Sequence, residues 1–143
     1  MIASTLEHPK LNILVQSFSY KHQLPNDESG NGGGFIFDCR GILNPGRFEE
    51  YKTLTGKDSS VIHFLETKTR MQEFLHAAKS LVTISIDDYL ARGFEHLQIN
   101  FGCTGGQHRS VYCAEQMAKF LKETYPVSVT LRHIEQERKG RIL

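Results

Sequence analysis

The stretch that most restricts how this chain can fold runs from His96 to Leu131. His96-Leu97-Gln98-Ile99-Asn100-Phe101 alternates apolar and polar residues, which predicts a strand with one buried face, stopping at Gly102. Thr104-Gly105-Gly106 then predicts a tight turn into a helix whose inner face is Val111, Ala114, Ala118 and Leu121. Pro126 ends that helix, and Val127-Ser128-Val129-Thr130-Leu131 forms a further strand. A strand, a covering helix and a returning strand make a crossover unit, which favours parallel pairing. The expected class is therefore α/β: a small, mostly parallel sheet with helical layers.

The rest of the chain supplies the remaining elements. Residues Met1–Lys10 read as a loose lead-in, and 11–143 as a single domain, in keeping with a length of 143 residues. Leu11–Phe18 predicts a first, central strand, followed by a polar loop and the glycine run Gly30–Gly34, read as a mobile linker. Phe35–Cys39 predicts a second strand that runs into Arg40 and the Asn44-Pro45-Gly46 turn. Residues Arg47–Ser60 read as a long loop with one helical turn. A short helix over Val61–Thr67 precedes a longer one ending near Arg92, with Phe74, Leu75, Ala78, Leu81, Val82 and Tyr89 as its apolar stripe. Gly93 closes it.

The chemistry concentrates in Gly102-Cys103-Thr104-Gly105-Gly106-Gln107-His108-Arg109-Ser110. Adjacent glycines let several backbone N–H groups approach one ligand, and the following helix offers unpaired donors and the positive end of its dipole. Arg109 adds a planar two-pronged donor for phosphate or carboxylate, and His108 an adjustable proton. In an open parallel sheet, ligands bind beyond the carboxyl ends of the strands. Those ends also carry Lys21 and His22 after the first strand, and Asp38 and Arg40 after the second. Asp38 and Arg40 serve equally well as a mutual ion pair. Seventeen Lys and Arg against sixteen Asp and Glu give a charge of +1, so any polyanion contact must be local. The three cysteines, Cys39, Cys103 and Cys113, form no paired framework and fit a reducing cytoplasm. No signal-like opening and no apolar run of about 20 residues points to a membrane. Cysteine and histidine spacing predicts no metal site.

The string Phe101-Gly102-Cys103-Thr104-Gly105-Gly106-Gln107-His108-Arg109-Ser110-Val111-Tyr112 resembles the C-terminal domain of the RapZ (YvcJ-like) family of RNase adapters. Ser17–His22 with Leu24-Pro25, Phe37–Arg40 with Asn44-Pro45, Leu54-Thr55-Gly56 and the end of the chain, Arg132-His133 to Glu137-Arg138-Lys139, extend the likeness. The resemblance implies a domain similar to a phosphofructokinase subdomain, often oligomeric, that senses glucosamine-6-phosphate and binds RNA or serves an RNase. It implies no cofactor. Carried over by motif, Thr104, Gly105, His108 and Arg109 are sugar-phosphate candidates, joined by Gly106 and Gln107 of the same turn and by Lys21, His22, Asp38 and Arg40. The family's nucleotide-binding first half, with its Walker loop, has no counterpart in this sequence, so nucleotide binding of that kind is not expected. Gly46 stands where better-known members have a histidine linked to sensing, and Gly30–Gly34 looks like an insertion.

Two other functions compete. Cys103 and Arg109 have the C-x5-R spacing of cysteine-dependent phosphatases, with Ser110 to assist the leaving thiolate and Asp38 as acid. Those enzymes have His before the cysteine, and here it is Gly102. RNA binding would rest on Arg132, Arg138, Lys139 and Arg141, diluted by Glu135 and Glu137, and a solvated tail explains that cluster equally well. The expected role is a sensor or adapter rather than a catalyst. The tail is expected to act independently of the glycine loop, which lies at the far end of the intervening helix.

Overall fold

The computed structural model describes residues 10–143, so the expected lead-in lies, apart from Lys10, outside the described residues. Four strands form one all-parallel sheet: β1 (Asn12–Ser19), β2 (Phe35–Asp38), β3 (His96–Cys103) and β4 (Ser128–His133), in the order β2-β3-β1-β4. β1 is central, as its β-branched, apolar run predicts. The helices are α1 (Ser59–Lys68), α2 (Met71–Arg92), α3 (Arg109–Thr124) and the short α4 (Ile134–Arg138). Between β2 and α1 the chain makes two 3-10 turns, Pro45–Arg47 and Glu49–Tyr51, where one turn was expected.

One core joins Ile13 and Val15 of β1, Leu97, Ile99 and Phe101 of β3, and buried residues of α1, α2 and α3. The α3 face is the expected one: Val111, Ala114, Ala118 and Leu121 are all buried. On α2 the buried stripe is Leu75, Ala78, Val82 and Ile86, and Gly93 caps the helix in the left-handed conformation. Leu81, expected in that stripe, is 53% exposed, because it lies on the outer side with Ile84.

β3 departs from its expected alternation. It continues through Gly102 to Cys103, and every residue after His96 is buried. The polar residues face the side of the sheet opposite the apolar core, and residues 23–26 with Ile134 lie over part of it. There Gln16 donates to Asn100 Oδ1 at 2.9 Å, Asn100 to the Phe35 carbonyl at 3.0 Å and Gln98 to the Asn26 carbonyl at 3.3 Å. A ladder of side-chain amides thus pairs most of the polar groups that the periodicity assigned to solvent, with Gln98 Oε1 left without a partner among the described residues.

The end of the chain is also more ordered than a solvated tail. Arg132 and His133 complete β4, and Glu135 and Gln136 of α4 are buried. Gln136 donates to the Gly106 carbonyl at 3.0 Å. The expected separation of tail and glycine loop is therefore wrong. β3 and β4 run parallel, so the crossover returns the chain to the edge where the loop sits.

Candidate functional site

At the carboxyl edge of the sheet, a cleft of about 210 Å³ opens between the glycine loop and the 3-10 turns. Lys21, Asn44, Gly46, Lys52, Thr104 and Gly105 line it, with Cys103, Gln107, His108 and Arg109. The start of α3 has no side-chain cap, so its first N–H groups lack the partner a capping residue supplies. Lys21, Lys52, whose ammonium also meets the exposed Glu49 carboxylate at 3.5 Å, and an uncapped helix start give the cleft a positive character.

The loop is held from several directions. Gln107 donates to the carbonyls of Lys52 and Leu54 at 2.8 and 2.7 Å, and its own carbonyl accepts from Gly56 N–H at 2.9 Å. A Cβ at Gly56 would come within 2.3 Å of the His108 carbonyl oxygen, so only glycine allows this approach. Gly106 has φ +61°, and a Cβ there would meet Glu135 Cβ at 2.7 Å. His108 Nε2 bonds the Tyr51 carbonyl at 2.8 Å, and burial holds its pKa below the ordinary value of 6.5. The imidazole is therefore neutral at neutral pH and donates this bond.

Arg109 is only 4% exposed. Its Nη1 donates to the carbonyls of Arg40 at 3.2 Å and Ile42 at 2.7 Å, while its buried Nε has no partner among the described residues. The guanidinium thus fastens the chain after β2, and Arg109 lines the cleft with its buried Nε left without a partner among the described residues. Cys103 and Ser110 are buried in contact, Sγ–H donating to Oγ at 3.1 Å.

The other sequence candidates are engaged elsewhere. Asp38 and Arg40 form a two-pronged ion pair, with Nη2–Oδ2 at 2.7 Å, and Arg40 lies 3.8 Å over the Tyr20 ring. That hydrogen bond holds the Asp38 carboxyl below its ordinary value. His22 turns to Glu135, 3.4 Å away. Of the basic end residues, Arg132 pairs with Glu137, Arg138 and Lys139 with Glu135, and Arg141 with the Gln136 side chain. The sequence reading missed Lys52 as a cleft residue. Its nearest signal was the Leu54-Thr55-Gly56 string, which the fold clasps to Gln107 and His108.

Comparison with known proteins gives the family. The model of the RapZ C-terminal domain matches residues 11–136, most of the chain. The chain belongs to the RapZ C-terminal domain family. It is 43% identical over 132 residues to a nucleotide-binding protein of Cereibacter sphaeroides, covering 92% of this chain and 41% of that protein. A nucleotide-binding protein of Lactobacillus delbrueckii subsp. bulgaricus is 37% identical over 131 residues, covering 92% and 43%. One of Endomicrobium trichonymphae is 38% identical over 125 residues, covering 87% and 42%. The chain therefore spans about two-fifths of the length of the curated relatives it matches. As a RapZ C-terminal domain it holds its glycine loop between two buttresses, the 3-10 turn segment on one side and α4 on the other. No helix among the described residues is long and apolar enough to cross a membrane.

Proposed function

We propose that this RapZ C-terminal domain binds a phosphorylated small molecule, an amino-sugar phosphate such as glucosamine-6-phosphate, with the phosphate against Thr104–Arg109. The observation that carries the reading is the buried, unpartnered Arg109 Nε in a cleft that also holds Lys21, Lys52 and the uncapped start of α3. A phosphate would satisfy that donor and meet two cations, at a helix end suited to anions. The cleft, about 210 Å³, can hold a phosphate with a small sugar, and the relatives are named for nucleotide binding. Asn44 lines the same cleft and offers its side-chain amide to sugar hydroxyls.

Calorimetry with glucosamine-6-phosphate tests this. Binding by the wild type, weakened at least tenfold when Lys21 and Lys52 are both changed to alanine, supports the reading. Equal affinity in the double variant refutes it.

The role is sensing rather than turnover. Cys103 Sγ is buried at the floor of the cleft, and the Arg109 fork is partly spent on backbone carbonyls. A cysteine phosphatase needs both groups free at phosphorus. The wild type is expected to leave p-nitrophenyl phosphate intact, and a phosphocysteine trapped at Cys103 would reverse the assignment to an enzyme. An RNA or RNase adapter role follows from the family alone. Arg132, Arg138, Lys139 and Arg141 support it only as a local patch, since each already has a partner.

A further inference from the structure

The anion reading requires backbone N–H groups that point into the cleft, and two buried side chains outside the cleft bear on their direction. Ser19, at the end of β1 and 3% exposed, donates its hydroxyl to the Thr104 carbonyl at 2.7 Å. The same hydroxyl accepts from Lys21 N–H at 3.1 Å, which fixes the sense of the bond. Gln136, 1% exposed, donates from Nε2 to the Gly106 carbonyl at 3.0 Å and accepts at Oε1 from Arg141 Nη1 at 3.3 Å. The side-chain amide is thereby oriented too.

A trans peptide plane points its C=O and the next residue's N–H in opposite directions. Drawing the Thr104 carbonyl toward Ser19 turns the Gly105 N–H away from β1. Drawing the Gly106 carbonyl toward Gln136 turns the Gln107 N–H away from α4. Thr104, Gly105 and Gln107 line the cleft, whereas Ser19 and Gln136 do not. Neither the Gly105 nor the Gln107 N–H has a hydrogen-bond partner among the described residues. Both are idle donors on residues that line the same cleft as Arg109, whose Nε also lacks a partner among the described residues.

We infer that Ser19 and Gln136 are positioning residues for phosphate: each pins one carbonyl into the protein, away from the cleft, so that the Gly105 and Gln107 amides stand ready for the ligand's oxygens. This rests on the phosphate reading above and adds to it the groups that set the donors. Preset donors spare the ligand the cost of ordering the loop, which is where such residues act on affinity. It also gives α4 a part in the site, through a residue 29 positions beyond Gln107 in the chain.

The test is a titration of the full chain with inorganic phosphate, followed by the backbone amide resonances of residues 104–109. In the wild type, the Gly105 and Gln107 amides shift on binding. Ser19→Ala is expected to lose most of the Gly105 response and keep that of Gln107. Gln136→Met, which retains bulk without the donor, is expected to do the reverse. Each weakens phosphate binding about three- to tenfold, the effect of one neutral hydrogen bond. General loosening of the fold would not separate the two amides in this way. The two variants act at different ends of the loop, so unfolding of one leaves the other as the test. Variants that titrate like the wild type at both amides overturn the positioning role alone. A wild type whose 104–109 amides ignore phosphate overturns the phosphate reading, and this inference with it.

Discussion

Arg109 shows how one residue serves both fold and site. Its guanidinium closes two backbone carbonyls after β2, so truncation leaves the buried acceptor of Ile42 and the half-buried one of Arg40 unpaired and removes the proposed phosphate donor together. Arg109→Ala is expected to cost about 1–3 kcal/mol in urea unfolding as well as phosphate affinity. Arg109→Lys recovers neither fully, because a single ammonium cannot reproduce the fork. An unchanged urea midpoint in Arg109→Ala would show that those carbonyls do not depend on it. His108 gives a pH signature. Burial lowers its folded pKa below 6.5, so as pH falls the unfolded chain takes up the proton first. The neutral imidazole's contribution is complete above pH 6.5 and is lost as pH falls through the folded value. Chemical denaturation between pH 7.5 and 5 should reveal this fall, with a smaller slope in His108→Gln; identical slopes would remove His108 as the source.

At the level of elements, the glycine loop depends on α4 lying against it. Gly106→Ala places a methyl at positive φ and against Glu135, and is expected to destabilise by at least about 1 kcal/mol. Gly105→Ala serves as the control, since its added Cβ meets nothing within 4 Å and its φ is not positive. Equal stability of the two variants would contradict the packing of α4 on the loop. The four strands, α1 to α3 and the loop itself were legible in the sequence, because apolar periodicity and Gly-Gly after a strand each have a local cause, whereas α4 was read as a charged tail. Gln98 and Asn100 misled the reading of β3, since their burial depends on Gln16 and residue 26, far away in sequence. Lys52, Ser19 and Gln136 were illegible as site residues for the same reason: each meets the loop only after the crossovers are made. His22, Asp38 and Arg40 lie outside the cleft lining: His22 pairs with Glu135, and Asp38 with Arg40 in the ion pair that the sequence left open beside a ligand role.

Across the molecule, the all-parallel sheet brings the ends of β1, β2, β3 and β4 to one edge, and with them the cleft, the turn segment and α4. Deleting Glu137–Leu143 removes Arg138 and Lys139 from Glu135 and Arg141 from Gln136. That deletion should weaken phosphate binding by calorimetry as well as any retention of structured RNA at low salt, because both depend on the same end of the chain. Full phosphate affinity in the truncated chain would show that α4 holds its place without those contacts. The central claim is that one cleft, built from the glycine loop, Lys21 and Lys52, receives a phosphate. The most direct measurement is difference electron density from crystals grown with glucosamine-6-phosphate. The account predicts phosphate density within hydrogen-bond reach of the Gly105 and Gln107 amides and Arg109 Nε. Density at the opposite edge of the sheet, beside Tyr89, Phe94 and His96, with an empty glycine loop, would contradict it.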